Sequence, residues 1–341
     1  MDSREYYVQQ SAITDPGRHA VLFDDLPVDI QGLCSTVRGL VVHHLRGLAA
    51  LGFAIPEDRY RELDTRHVSK MLDRIVELDV RPLQEPRPPE RRVVGCCRDF
   101  AVLFCGMARH KGIPARVRYG FSTCPPDGFN YLHVVAECWH AMDRRWVLID
   151  PELADWGLQA QESVADSSGG LKGEFISGAR AWRAFREGKT DTRRFGRAPG
   201  TEPGGADALV RSSMLDLAGL NKEELLLWTG TRPEGEEFGE SDKLLLDQGA
   251  KLAELVDDQF SELQGIGQRL PKLGSPPGRN RGTSRRGCRS YGASAEARRL
   301  QVQEGHGGES AAVCESGGRR SASKRSSGSG LRPEQNRRRG G

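Results

Sequence analysis

Gly95-Cys96-Cys97-Arg98-Asp99-Phe100-Ala101, continued by Gly112-Ile113-Pro114-Ala115-Arg116, is the stretch that decides the fold. From Cys97 to His110 apolar residues recur at helical spacing, with Asp99 in the first turn and Arg109, His110 and Lys111 in the last, where a helix dipole favours those charges. Gly112 supplies the stop. The alternation and the Tyr, Val and Phe content of residues 116–121 predict a strand, and residues 132–139 and 145–150 predict two more. Between those two, Ala141-Met142-Asp143-Arg144 predicts a tight hairpin loop. A cysteine-bearing helix followed by antiparallel strands is an α+β arrangement.

The same stretch carries chemistry. A thiol is a useful nucleophile as thiolate, and a helix N-terminus with a nearby imidazolium can lower its pKa from about 8.5 to roughly 3.5–7.5. Cys97 stands at such a terminus, and Ala101, Phe104 and Ala108 continue its stripe toward the face expected to meet the sheet. A hairpin turning at Ala141-Met142 would put His133 directly opposite Asp150, so that the carboxylate fixes the imidazole and leaves its other nitrogen for the thiol. A slip of one residue would send one partner to the other face.

With Gly120-Phe121, His133 in its strand and Trp146-Val147-Leu148-Ile149-Asp150-Pro151 added, the pattern resembles the transglutaminase-like superfamily, most strongly over residues 90–152. The flanking segments, including Leu220-Asn221-Lys222-Glu223-Glu224-Leu225, look like those of bacterial transglutaminase-like domain proteins. The resemblance implies a papain-like core, with the cysteine helix packed on an antiparallel sheet and helices on both sides. It makes Cys97 the nucleophile, His133 the general base and Asp150 its orienter. It also implies a cysteine enzyme that acts on peptide or protein amides through an acyl-thioester, with hydrolysis, as a protease or amidase, favoured over acyl transfer. The alternative is a non-catalytic interaction module that keeps the fold. Two features depart from the family pattern: Cys96 stands where a non-thiol residue is expected, and Leu132 and Val134 flank the histidine where an aromatic is common. For an oxyanion the Cys97 N–H is a natural donor, and the second is expected from the loop before it.

Around residues 81–155, which form the expected catalytic core, the chain divides into three further parts. Residues 1–80 read as helical, with Ile30, Leu33, Val37, Leu40 and Val41 in one stripe and Val68, Met71, Leu72, Ile75 and Leu78 in another. The proline-rich, charged residues 82–92 read as a surface loop. Residues 156–268 return to helices, one holding Trp182 and Phe185, others over 214–220 and 223–228, and a long one over 243–263. Residues 269–341, rich in Gly, Ser and Arg, have the composition of a disordered tail.

Charge follows this division. Residues 271–341 hold 16 Lys or Arg and 5 Asp or Glu, a balance of +11; subtracting these from totals of 50 and 47 leaves 34 against 42, or −8, for residues 1–270. Runs such as Arg285-Arg286-Gly287 and Arg337-Arg338-Arg339 predict weak, non-specific, salt-sensitive polyanion binding, with Tyr291 the tail's one aromatic. The polar start and the lack of a long apolar run predict a cytoplasmic protein with no membrane partner. The eight cysteines form no Cys-x-x-Cys pair, so neither a metal nor a cofactor is expected, and most thiols should be free. His43-His44, His110 and His140 read as surface or capping residues, and Trp139 and Trp146 as core or cleft wall.

Overall fold

The computed structural model describes residues 2–124, 128–152, 175–201, 204–229, 238–255, 257 and 259–269. The basic tail past Arg269 lies outside the described residues, as do 153–174. In chain order the elements are α1 (Ser3–Val8), α2 (Ile30–Leu40), β1 (Val41–His43), α3 (Gly47–Leu51), α4 (Val68–Leu78), β2 (Val93–Gly95), α5 (Cys97–His110), β3 (Ala115–Cys124), β4 (Phe129–His140), β5 (Arg145–Ile149), β6 (Phe175–Ser177), α6 (Gly178–Arg186), β7 (Phe195–Gly196), α7 (Gly205–Leu220), α8 (Glu240–Leu252) and α9 (Phe260–Arg269). No helix among the described residues is long and apolar enough to cross a membrane.

The fold is α+β. Strands run in the order β5-β4-β3-β6, all antiparallel, and β7 joins the start of β4 in parallel. One apolar core lies between this sheet, α5, α2 and α4; a second gathers α6, α7, α8 and α9. The sheet curls at the Gly120–His133 pair. Tyr119 and Val134 pack into the first core, whereas Phe121 and Leu132, which strict alternation would keep on the same face, join the second. A Cβ on Gly120 would lie 2.1 Å from the Ile176 carbonyl oxygen, so the glycine is what lets β6 come in at that point.

Helix α5 is buried on every side from Cys97 to Arg109, and its predicted inward stripe is therefore not a distinct face. Its caps follow the sequence: Asp99 Oδ2 accepts the Cys96 N–H at 2.8 Å, and Gly112 takes the left-handed conformation at φ 77° just past the end. Two arginines fasten it. Arg98 donates to the carbonyls of Glu224 (2.6 Å) and Arg66 (2.7 Å) and to Asp99 (3.0 Å). At the other end Arg109 donates to Thr14 Oγ1 (2.8 Å), the Ala115 carbonyl (2.9 Å) and Glu224 Oε1 (3.0 Å), and Ser11 donates to Glu224 Oε2. The segment after α7 thus grips both ends of α5.

That segment corrects one expectation, because residues 223–228 are not helical. Lys222 turns the chain at φ 61°, and the open backbone beyond it offers Arg98 the Glu224 carbonyl, which a helix would have consumed internally. The long helix expected over 243–263 is likewise broken. Between α8 and α9, Asp257 accepts from Trp146 Nε1 at 3.0 Å and from Ser3 Oγ at 2.5 Å. Val41, expected at the end of a helical stripe, instead opens β1, and residues 82–92 form a loop with one short 3-10 turn at Pro89–Arg91.

Removing one member of a buried ion pair strands the other charge and costs about 3–5 kcal/mol. Arg109 and Glu224 are both fully buried, so Glu224→Ala should destabilise the protein by an amount in that range. In urea denaturation the midpoint should fall while the slope is unchanged. A midpoint within experimental error of the unsubstituted protein would show that this pair does not hold α5.

Candidate active site

Strand β1 runs parallel to β2, with Val41, Val42 and His43 beside Val93, Val94 and Gly95. The β-branched valines suit such a buried ladder. Gly95 permits its closeness, since a Cβ there would meet Val41 Cγ1 at 2.9 Å and Asp99 Cβ at 3.0 Å. The result sets His43 next to the start of α5. His43 was expected at the surface; its side chain is only 10% exposed and its imidazole hydrogen-bonds the Cys97 thiol. His44, stacked on it with centroids 4.8 Å apart, is also buried, and burial pushes its pKa down to about 3. His110 and His140 do lie nearer solvent, paired with Asp24 (2.8 Å) and Asp143 (3.1 Å).

The hairpin between β4 and β5 has the expected four-residue loop, with Arg144 left-handed at φ 52°, but not the expected register. His140 pairs with Arg145 and Ala136 with Ile149, so a continued ladder would set Asp150 opposite Val135 rather than His133. The error is two residues. A shift by two keeps every side chain on its own face, and the pair therefore survives as a diagonal one. His133 Nε2 and Asp150 Oδ2 are 2.5 Å apart, and Asp150 Oδ1 accepts the Glu152 N–H at 2.9 Å.

With Nε2 taken by Asp150, Nδ1 of His133 is left for the thiol of Cys97, with which it hydrogen-bonds. The structure thus brings Cys97, His133 and Asp150 together, the first two each 5% exposed. The Cys96 thiol lies beside them and shares a hydrogen bond with the Cys97 sulfur. That hydrogen bond is the largest influence on Cys97; burial works against it, and the two imidazoles add to it, so that the Cys97 thiol is held well below its ordinary range. Cys96, at the other end of that hydrogen bond and buried, is held well above. For His133 burial alone would lower the pKa. The charge and hydrogen bond of Asp150, with the facing Cys97, overcome it and raise the imidazole well above its ordinary range. Both shifts favour a thiolate facing an imidazolium, with Asp150 behind the ring.

Next to this group Arg46 donates to Glu152 Oε1 at 2.6 Å, and His43, Arg46, Glu152, Phe100 and Leu51 line a small cavity. Neither Arg46 nor Glu152 was singled out in the sequence. Trp146, read as core or cleft wall, lies with the Arg116 guanidinium 3.9 Å from its ring centroid, and Trp139 meets it edge-on. Among the described residues no cluster of His, Cys, Asp and Glu is arranged to hold a metal ion.

Residues 80–151 match the model of the transglutaminase-like superfamily, the span that runs from the loop before β2 to the residue after Asp150. No curated protein and no solved structure matches the chain.

Proposed function

We propose that this protein is a cysteine enzyme that cleaves amide bonds of peptides or proteins through an acyl-thioester, with Cys97 as nucleophile, His133 as acid–base and Asp150 as its orienter. The observation that carries the reading is the Cys97–His133–Asp150 array at the start of a buried helix, inside the segment that matches the transglutaminase-like superfamily. In the first half-reaction the Cys97 thiolate adds to the amide carbon. The C–N bond then breaks as the leaving amine takes the proton of the His133 imidazolium. In the second, water adds to the thioester and gives a proton to His133, and the C–S bond breaks to release the acid and the Cys97 thiolate beside the imidazolium. A primary amine in place of water would give a new amide, and hydrolysis is the outcome we favour.

The test is a screen of peptide and protein amides with and without added primary amine, following both ammonia or amine release and the new acyl product. Free acid as the main product supports hydrolysis; a new amide formed at the expense of acid replaces it with acyl transfer. Failure of Cys97 to react with iodoacetamide, together with no amide turnover, would instead make the protein an interaction module.

The pH profile of kcat/KM follows from the two shifts. Activity appears as pH rises through the depressed Cys97 pKa and disappears as it rises through the elevated His133 pKa, where the leaving group loses its proton donor. The acid limb should therefore lie well below the ordinary thiol value of 9.0, and the alkaline limb well above the ordinary imidazole value of 6.5. A rate that only climbs toward pH 9 would mean that no preformed ion pair exists.

A further inference from the structure

Resting on that reading, the array leaves one requirement unmet. When the thiolate adds to a carbonyl, the C–S bond forms and the C=O π pair moves to oxygen, which then needs two hydrogen-bond donors. One is at hand. Cys97 is the first residue of α5, where a backbone N–H has no acceptor within its helix.

We propose that the second donor is the Nε2–H of His43. The imidazole's two nitrogens have separate tasks. Nδ1 accepts the backbone N–H of Leu45 at 3.1 Å, so it carries no proton and the ring's hydrogen sits on Nε2. Nε2 is left to face Cys97, where an incoming carbonyl oxygen can take over its hydrogen: Glu152 Oε1 is 3.8 Å away, beyond hydrogen-bonding range, and is engaged by Arg46 at 2.6 Å. Arg46 also offsets a carboxylate charge that would otherwise oppose a neighbouring oxyanion. The His43 ring reaches the Cys97 thiol and is held by the β1–β2 ladder and by the stacked His44, so the donor is fixed before reaction begins.

His43 therefore differs in kind from His133. His133 is backed by a carboxylate and moves a proton; His43 is backed by a backbone N–H and keeps its own. On collapse of the tetrahedral intermediate the oxygen's pair re-forms C=O, the leaving group departs, and the His43 hydrogen stays where it was.

Two reactions of Cys97 separate donor from structural prop. Alkylation by iodoacetamide needs the thiolate but forms no oxyanion, whereas acylation by p-nitrophenyl acetate needs both. His43→Ala should slow acylation by roughly 10²–10³-fold, the loss typical of one oxyanion donor, and change alkylation only a few-fold. His43→Gln, which keeps an N–H near the same place, should recover part of the acylation rate. Melting temperatures of both variants show whether they fold. Equal losses in both reactions, or acylation unchanged in His43→Ala, would overturn the proposal while leaving Cys97 as nucleophile. If the unsubstituted protein reacts with neither reagent, the enzymatic reading falls and His43 falls with it. Should His43→Ala fail to fold, the comparison rests on His43→Gln and on His43→Phe, which keeps a ring without a donor: fast acylation in the second would overturn the assignment.

Discussion

Cys97→Ala should abolish both turnover and the rapid labelling by iodoacetamide at pH 6, and Cys96→Ala should leave rapid labelling in place. Two adjacent buried thiols make this a sharp comparison. The hydrogen bond shared by the two thiols raises the Cys96 pKa and lowers that of Cys97, so Cys97 is the one that ionises at lower pH. Cys96→Ala removes the largest single influence on Cys97 but leaves the two imidazoles, so labelling should slow only in part and stay faster than that of an ordinary thiol. Cys96→Ser, which still donates, should be nearer to the unsubstituted protein. Identification of the modified peptide by mass spectrometry completes the test. Rapid labelling that survives Cys97→Ala and is lost in Cys96→Ala would make Cys96 the nucleophile and overturn the assignment.

Asp150→Asn should leave the fold intact and lower turnover by roughly 10²–10⁴-fold, the range of positioned acid–base help. An amide at that position can present its NH₂ to Nε2, which favours the tautomer with hydrogen on Nδ1 and turns an N–H toward a sulfur that needs a base. It also withdraws the charge that keeps the His133 imidazole protonated against its burial. Both the size and the shape of the loss are informative: the alkaline limb of the pH profile should move toward lower pH in the variant. Near-normal turnover would remove Asp150 from the array, and Glu152, whose N–H already binds Asp150, would be the next carboxylate to examine.

What could be read from residues alone was whatever depends on neighbours in the chain. Helix α5 announces itself by its caps, Asp99 and Gly112, and the β4–β5 hairpin by alternation around four loop residues. The register of that hairpin was off by two because the left-handed turn at Arg144 has no glycine to mark it. The error did no harm to the His133–Asp150 pairing, because side-chain alternation has period two. Residues 223–228 have strong helix formers in Glu223-Glu224-Leu225-Leu226-Leu227, and local propensity lost there to the need of a buried arginine for a carbonyl. His43 was out of reach for another reason. It is placed by a three-residue parallel ladder between segments about fifty positions apart, and only the valine pairs Val41-Val42 and Val93-Val94 hint at it.

The stretch that matches the family model, residues 80–151, is held in place in part by residues outside it. Within it Arg98 and Arg109 lean on Glu224, Arg118 is held by Asp216 at 2.8 Å, and the candidate oxyanion donor sits on β1, all outside those limits. Cut free, the recurrent segment would carry three buried guanidinium groups each stripped of part of its shell, left with Asp99, the Ala115 carbonyl and Glu137 respectively. The border of the family match and the border of the packing unit differ here: the matching segment holds the Cys97–His133–Asp150 array, and part of what encloses that array comes from the chain on either side.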